Sequence, residues 1–157
     1  MEVAVVAASF RVGLRVGDVA AAARFYRGFG FDEVGSVPEP GGRPVMTILR
    51  RGEVQLIVDA LVGMPFPDSE RERRIQAGPR GLGVAIGLGV DDLAASYEYC
   101  RGAGCTITSE PADEAWGDRV FECLDPFGYQ WEFSQPIEDW QPAAGLEAAQ
   151  AAWFGTP

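Results

Sequence analysis

The chain repeats itself. Displaced by 74 positions, Gly13-Leu14-Arg15-Val16-Gly17-Asp18 falls on Gly87-Leu88-Gly89-Val90-Asp91-Asp92, Ala20-Ala21 on Ala94-Ala95, Arg27-Gly28 on Arg101-Gly102, and Gly30 on Gly104. Nine of the eighteen positions from 13 to 30 are identical under this shift. Self-similarity at a fixed period is the mark of one supersecondary unit used more than once. It restricts the fold to architectures that pair two equivalent modules.

Each copy follows the same order of elements. A strand is expected over Arg11–Gly17 and Leu82–Val90, running into an aspartate suited to cap a helix, Asp18 in one copy and Asp91 or Asp92 in the other. An alanine-rich helix follows, with Phe25-Tyr26 or Tyr97 and Tyr99 near its end. It stops at Gly28 and Gly30, or at Gly102 and Gly104, since glycine readily adopts the left-handed conformation of a helix C-cap. Three further strands are expected at Asp32–Val37, Pro44–Arg50 and Glu53–Ala60, and again at Thr106–Glu110, Arg119–Leu124 and Tyr129–Gln135. Gly52 and the run Asp125-Pro126-Phe127-Gly128 supply the residues that close hairpins. The expected fold is therefore α+β, two tandem βαβββ modules at 1–60 and 82–135.

The segment 61–81 joins the modules. Its charged run from Glu70, bracketed by Pro65, Pro67 and Pro79, reads as a surface linker with one helical turn. Arg71, Arg73, Arg74 and Arg80 are interleaved there with Glu70 and Glu72, as on a solvated face. The tail, 136–157, holds an alanine-rich stretch, Ala143–Ala152, between Trp140 and Trp153-Phe154. A short helix is expected there, laying aromatics on the body or on a partner subunit.

Composition excludes several functions. With 13 basic and 23 acidic residues the net charge is −10, which repels nucleic acid and anionic lipid and attracts a cationic ligand. Cys100, Cys105 and Cys123 form no C-x-x-C pair, so they are expected as reduced core residues and not as a disulfide framework or a structural zinc site. No run approaches the roughly 18 apolar residues of a membrane span. The first residues carry Glu2 and no basic side chain, unlike a secretory signal. A cytoplasmic protein with a packed core is expected.

Strand side chains alternate between faces. Val12, Leu14 and Val16 oppose Arg11, Gly13 and Arg15; Val84, Ile86, Leu88 and Val90 oppose Ala85, Gly87 and Gly89. In the last strands Val54, Leu56 and Val58 oppose Gln55, Ile57 and Asp59, and Tyr129, Trp131 and Phe133 oppose Gln130, Glu132 and Ser134. The apolar sets suit helix packing. The complementary face, polar and nearly bare at Gly87 and Gly89, suits a ligand.

The run Trp116-Gly117-Asp118-Arg119-Val120-Phe121, followed by Asp125-Pro126-Phe127-Gly128-Tyr129-Gln130-Trp131-Glu132-Phe133, resembles the closing hairpin of the vicinal-oxygen-chelate superfamily, the glyoxalase and bleomycin-resistance type. The strand and cap preceding Phe25-Tyr26 are a second match, and the resemblance covers roughly residues 10 to 135. It implies paired βαβββ modules around a concave cleft. In the enzymes of that family four side chains hold one divalent metal, and the corresponding positions here are Arg11, Gln55, Ala85 and Glu132. Arginine is a fixed cation, alanine has no donor atom, and the chain contains no histidine. The resemblance therefore implies a member without metal or cofactor, similar to the family's antibiotic-binding proteins, with Trp116 placed to stack on a planar ligand.

Two functions stay open on this reading. One is a metal-independent binding protein that sequesters or carries an antibiotic-like or aromatic metabolite, with Arg11, Arg15, Gln55, Asp59, Ala85, Gly87, Trp116, Phe121, Gln130 and Glu132 lining the site. The other is a metal-independent isomerase, lyase or cyclase in which Glu132 is general acid/base and Arg11 steadies an oxyanion. A third use, docking another protein through Trp140, Trp153 and Phe154, rests on the tail alone. A homodimer is expected, since family clefts are often completed across a two-fold interface.

Overall fold

Along β1 (Phe10–Val16), Val12, Leu14 and Val16 point to one side and Arg11, Gly13 and Arg15 to the other, and this alternation decides which side of the first sheet meets a helix. The computed structural model describes residues 8–137, 139 and 141–156 and divides into two compact units, Met1–Arg80 and Gly81–Pro157. In the first, the carboxylate of Asp18 accepts the Ala21 N–H and starts α1 (Val19–Arg27), which buries Val19, Ala22, Ala23, Phe25 and Tyr26. The left-handed residue after α1 is Gly30 (φ +86°), while Gly28 remains helical. Then β2 (Asp32–Pro38), β3 (Pro44–Arg51) and β4 (Val54–Ala60) complete a sheet of order β1-β4-β3-β2. β1 runs parallel to β4, and both hairpins are antiparallel. The turn from β3 to β4 is Gly52-Glu53, with Gly52 at φ +59°. Tyr26, Phe31, Leu49, Leu56 and Val58 are the buried core of this unit.

The inter-module segment is more ordered than the single turn expected from its prolines. It forms α2 (Ser69–Ala77), capped by Asp68. Glu70 and Glu72 lie in its first turn and Arg74 in its last, the arrangement that complements a helix dipole. α2 buries no side chain of its own.

In the second unit, β5 is short, Ala85–Gly89. Gly81 and Gly83 both have positive φ, so Leu82 and Val84 cannot continue the strand and lie exposed. Asp92, not Asp91, accepts the Ala95 N–H and caps α3 (Leu93–Gly102). β6 (Thr106–Asp113), β7 (Asp118–Leu124) and β8 (Gln130–Pro136) follow, giving the sheet order β5-β8-β7-β6. β6 extends past its expected end through two irregularities and tolerates Pro111 because it is an edge strand. The turn from β7 to β8 is Asp125–Tyr129, longer than its counterpart. Phe121, Trp131 and Phe133 are fully buried on the side facing α3, where Phe121 stacks on Phe133 and meets Tyr97 edge-on.

The tail helix α4 (Pro142–Phe154) is longer than its alanine run and takes in Trp153 and Phe154. Trp140 lies outside the described residues. No described helix is long and apolar enough to cross a membrane.

Candidate functional site

In each unit, one face of the sheet is turned away from the helix that packs on the other. On this open face of the first sheet, register sets Arg11 beside Gln55 and Gln55 beside Arg50. Gly13 stands beside Ile57, which stands beside Ile48, which stands beside Gly35. A Cβ built at Gly13 or Gly35 would meet nothing within 4 Å, so this row is bare backbone at its two edge strands, with Ile57 and Ile48 between them. Arg11 is exposed and Gln55 half-buried.

Arg15 and Asp59 are the next pair along β1 and β4, and they behave differently from a ligand-binding pair. Arg15 donates Nε–H to the Ala60 carbonyl at 2.9 Å, Nη2–H to the Leu61 carbonyl at 3.0 Å, and both Nη groups to the two carboxylate oxygens of Glu72. Its guanidinium also lies 3.6 Å from the ring centre of Phe66. The rigid fork of donors explains the choice of arginine. Arg15, expected in the ligand site, is thus the anchor of α2, and its hydrogen bonds hold the Glu72 carboxyl below its ordinary range. Asp59 has the opposite environment. Burial raises its pKa, partly offset by the Arg15 charge, and its buried Oδ1 has no hydrogen-bond partner among the described residues.

The open face of the second sheet is acidic. Ala85 pairs with Gln130, Gly87 with Glu132, and Gly89 with Ser134. Glu132 in turn stands opposite Glu122, which stands opposite Ser109. Nothing lies within 4 Å of a Cβ built at Gly87 or Gly89. Glu132 is raised above its ordinary pKa by burial first, then by the charge of Glu122 and a hydrogen bond with it, and then by Glu114 and Asp118. Gln130 donates to Thr108 Oγ1 at 2.7 Å. Glu122, Asp118 and Arg50 are open-face residues that sequence reasoning missed, as it missed Glu114, whose charge reaches Glu132 from the turn between β6 and β7. Glu122 was discoverable from alternation, because it sits between Phe121 and Cys123, both of which pack on the helix side.

One expected ligand contact is placed elsewhere. Phe121 is fully buried on the helix-packed face, so it is a core residue. Its register partner is Phe133, an apolar strand position already assigned inward, and strand parity requires the same face for both. Trp116 occupies the turn between β6 and β7, half-buried, with its ring edge-on to Trp153 of α4 at 6.2 Å.

The donors at the four positions where the family carries a divalent metal do not fit one. Exposed Arg11 has no lone pair to offer and Ala85 no ligand atom. Register gives Ala85 the neighbour Gln130, whereas Glu132 lies beside Gly87. No histidine is present in the chain.

The architecture agrees with comparison to known proteins. The model of the Glyoxalase/Bleomycin resistance protein/Dioxygenase superfamily matches residues 8–133. An uncharacterized Mycobacterium bovis protein is 33% identical over 141 residues, 88% of each chain, and a Mycobacterium tuberculosis relative is 33% identical over 88% of this chain and 78% of its own. Among solved structures, TioX from Micromonospora sp. ML1 is 25% identical with a TM-score of 0.62, covering 81% of this chain and 97% of TioX. TnmS3, an antibiotic binding protein from Streptomyces sp. CB03234, is 22% identical with a TM-score of 0.55, covering 86% and 99%. The chain belongs to the glyoxalase/bleomycin resistance protein/dioxygenase superfamily.

Proposed function

We propose that this protein binds a small planar or cationic organic molecule, antibiotic-like or an aromatic metabolite, and sequesters or carries it in the cytoplasm without a metal ion. The observation that carries this reading is the bare strip of Gly87 and Gly89 beside the Glu132–Glu122 carboxyl pair. A flat molecule can lie against backbone there while the carboxyl pair offers acceptors to its polar groups. The acidity of that face favours a cationic group. On the first sheet, Gly13 and Gly35 flank the apolar Ile57 and Ile48, with Arg11 and Gln55 as polar neighbours, and this makes a second candidate surface. The antibiotic-binding description of TnmS3, which shares the fold, supports the same class.

Calorimetric titration of the purified chain with a panel of planar cationic antibiotics tests this. Saturable binding is expected, unchanged by a metal chelator and weakened roughly tenfold, about 1.4 kcal/mol, by Glu132→Gln. Binding that disappears on chelation, or that ignores Glu132→Gln, would overturn the reading. The raised pKa of Glu132 favours one alternative, a metal-independent isomerase, lyase or cyclase with Glu132 as general acid/base. Glu132→Gln would then abolish turnover of a bound ligand while sparing its affinity. A homodimer is part of the proposal, because α4 leaves Leu146, Trp153 and Phe154 exposed, an apolar stripe suited to a second copy. Light scattering at micromolar concentration should report two chains, and a monomer would refute it.

A further inference from the structure

We propose that Cys100, Cys105 and Cys123 form a three-sulfur site for a thiophilic metal ion, placed between α3 and β7 on the helix side of the second sheet. The local fold assembles it. At the end of α3 the Ala103 N–H bonds the Tyr99 carbonyl at 2.9 Å and the Cys105 N–H bonds the Cys100 carbonyl at 3.0 Å, while Gly104 takes φ +86°. This reversal returns the chain over the last helical turn and sets Cys105 against Cys100. Cys123 reaches them from β7, between its register partners Ile107 and Trp131. The three sulfurs lie within 4.8 Å of one another. Sulfurs held at about 2.3 Å from one ion stand roughly 4 Å apart in a trigonal site, so small side-chain rotations suffice.

The first module shows that the backbone does not demand thiols at these places. Shifted by the repeat period, the same positions are Tyr26, Phe31 and Leu49, all buried in the first core. Where the second module has sulfur, the first has ordinary packing.

The donor chemistry selects the ligand. Three thiolates with no imidazole suit a soft ion such as Cu+ or Cd2+ better than a hard one. Cys100 and Cys123 are fully buried, and Cys105 is partly exposed, which leaves an entry. Binding would displace the thiol protons to solvent. This site lies on the other side of the sheet from Glu132, so it is independent of the ligand-binding reading.

The test is titration of the reduced full-length chain with Cu+ and, separately, Cd2+. Sulfur-to-metal charge-transfer absorption saturating at one ion per chain is expected, with the matching mass gain in native mass spectrometry. Cys105→Ser, at the least buried position, should keep the wild-type circular dichroism and weaken affinity by roughly a hundredfold or more. Cys123→Val, which restores packing of the kind Leu49 provides, should do the same, while Glu132→Gln should leave metal affinity unchanged. Absence of charge-transfer absorption at saturation, equal affinity in folded Cys105→Ser, or loss of binding in Glu132→Gln would each overturn the proposal.

Discussion

Glu122 and Glu132 stand directly opposite each other on β7 and β8, two carboxyl groups on one open face. Like charges in direct register weaken a sheet by roughly 0.2–1 kcal/mol. Burial, then the charge of Glu122 and the hydrogen bond with it, keep Glu132 above its ordinary 4.5. A raised folded-state pKa contributes stability that is complete below the unfolded value and is lost as pH rises through the folded one. Glu132→Gln should therefore raise the melting temperature at slightly alkaline pH by about 1–4 °C, with little effect in acid. Thermal melts across that range check it, and a lower melting temperature at every pH would contradict it.

Arg15 should act on the inter-module segment. Its two-pronged contact with Glu72 holds α2, a helix that buries no side chain of its own. Glu72 has a lowered pKa because of the Arg15 hydrogen bonds, so this docking is complete above 4.5 and lost as pH falls through the lower folded value. Arg15→Ala is expected to speed proteolytic cleavage within residues 61–81 by roughly tenfold at neutral pH. It should also remove the acid dependence of that cleavage. Limited proteolysis followed by mass spectrometry measures both.

Phe121 separates packing from binding. Its ring is fully buried against Phe133 and Tyr97, so Phe121→Ala should cost about 3–5 kcal/mol in urea unfolding. Phe121→Leu, a smaller loss of volume, should leave ligand affinity within about twofold. A large affinity loss with unchanged stability would return Phe121 to the ligand site.

Asp125 should be intolerant for a different reason. It is buried and accepts the Phe127 and Tyr129 N–H groups and the Trp131 indole N–H, each at 2.8–2.9 Å. Asp125→Ala strands these donors and is expected to cost at least about 3 kcal/mol, read as a lower urea midpoint. Unchanged stability would mean that the turn refolds around other acceptors.

The repeat, the capping aspartates and the inward faces of the strands were legible because each is set by residues close in sequence. Asp18 and Asp92 announce their helices, and Trp131 and Phe133 announce their face. What escaped depends on meetings between distant segments. Arg15 reads as an open-face cation until Glu72, 57 residues later, reaches it. The cysteines show no metal-binding spacing, since the left-handed Gly104 and the position of β7 bring them together. The full length of α2 depends on the Asp68 cap and the graded charges behind it, which outweigh the flanking prolines. The side that Phe121 faces is already fixed by the alternation of its own strand and by its partner Phe133.

Counted between the equivalent pairs Arg50–Gln55 and Leu124–Gln130, the two hairpin connections that close the modules differ by one residue, and that difference sets parity. Leu124 stands 74 positions after Arg50, yet its partner Gln130 stands 75 after Gln55. Under an unbroken period Glu132 would coincide with Val58, which is wholly buried, and β8 would present its acids to the core and its aromatics to water. The extra position in Asp125–Tyr129 turns the strand over once more and returns Glu132 to the open side. A single-residue deletion in that turn would therefore do more than shorten a loop: by inverting the last strand, it would exchange which of the side chains of β8 meet the helix and which meet solvent.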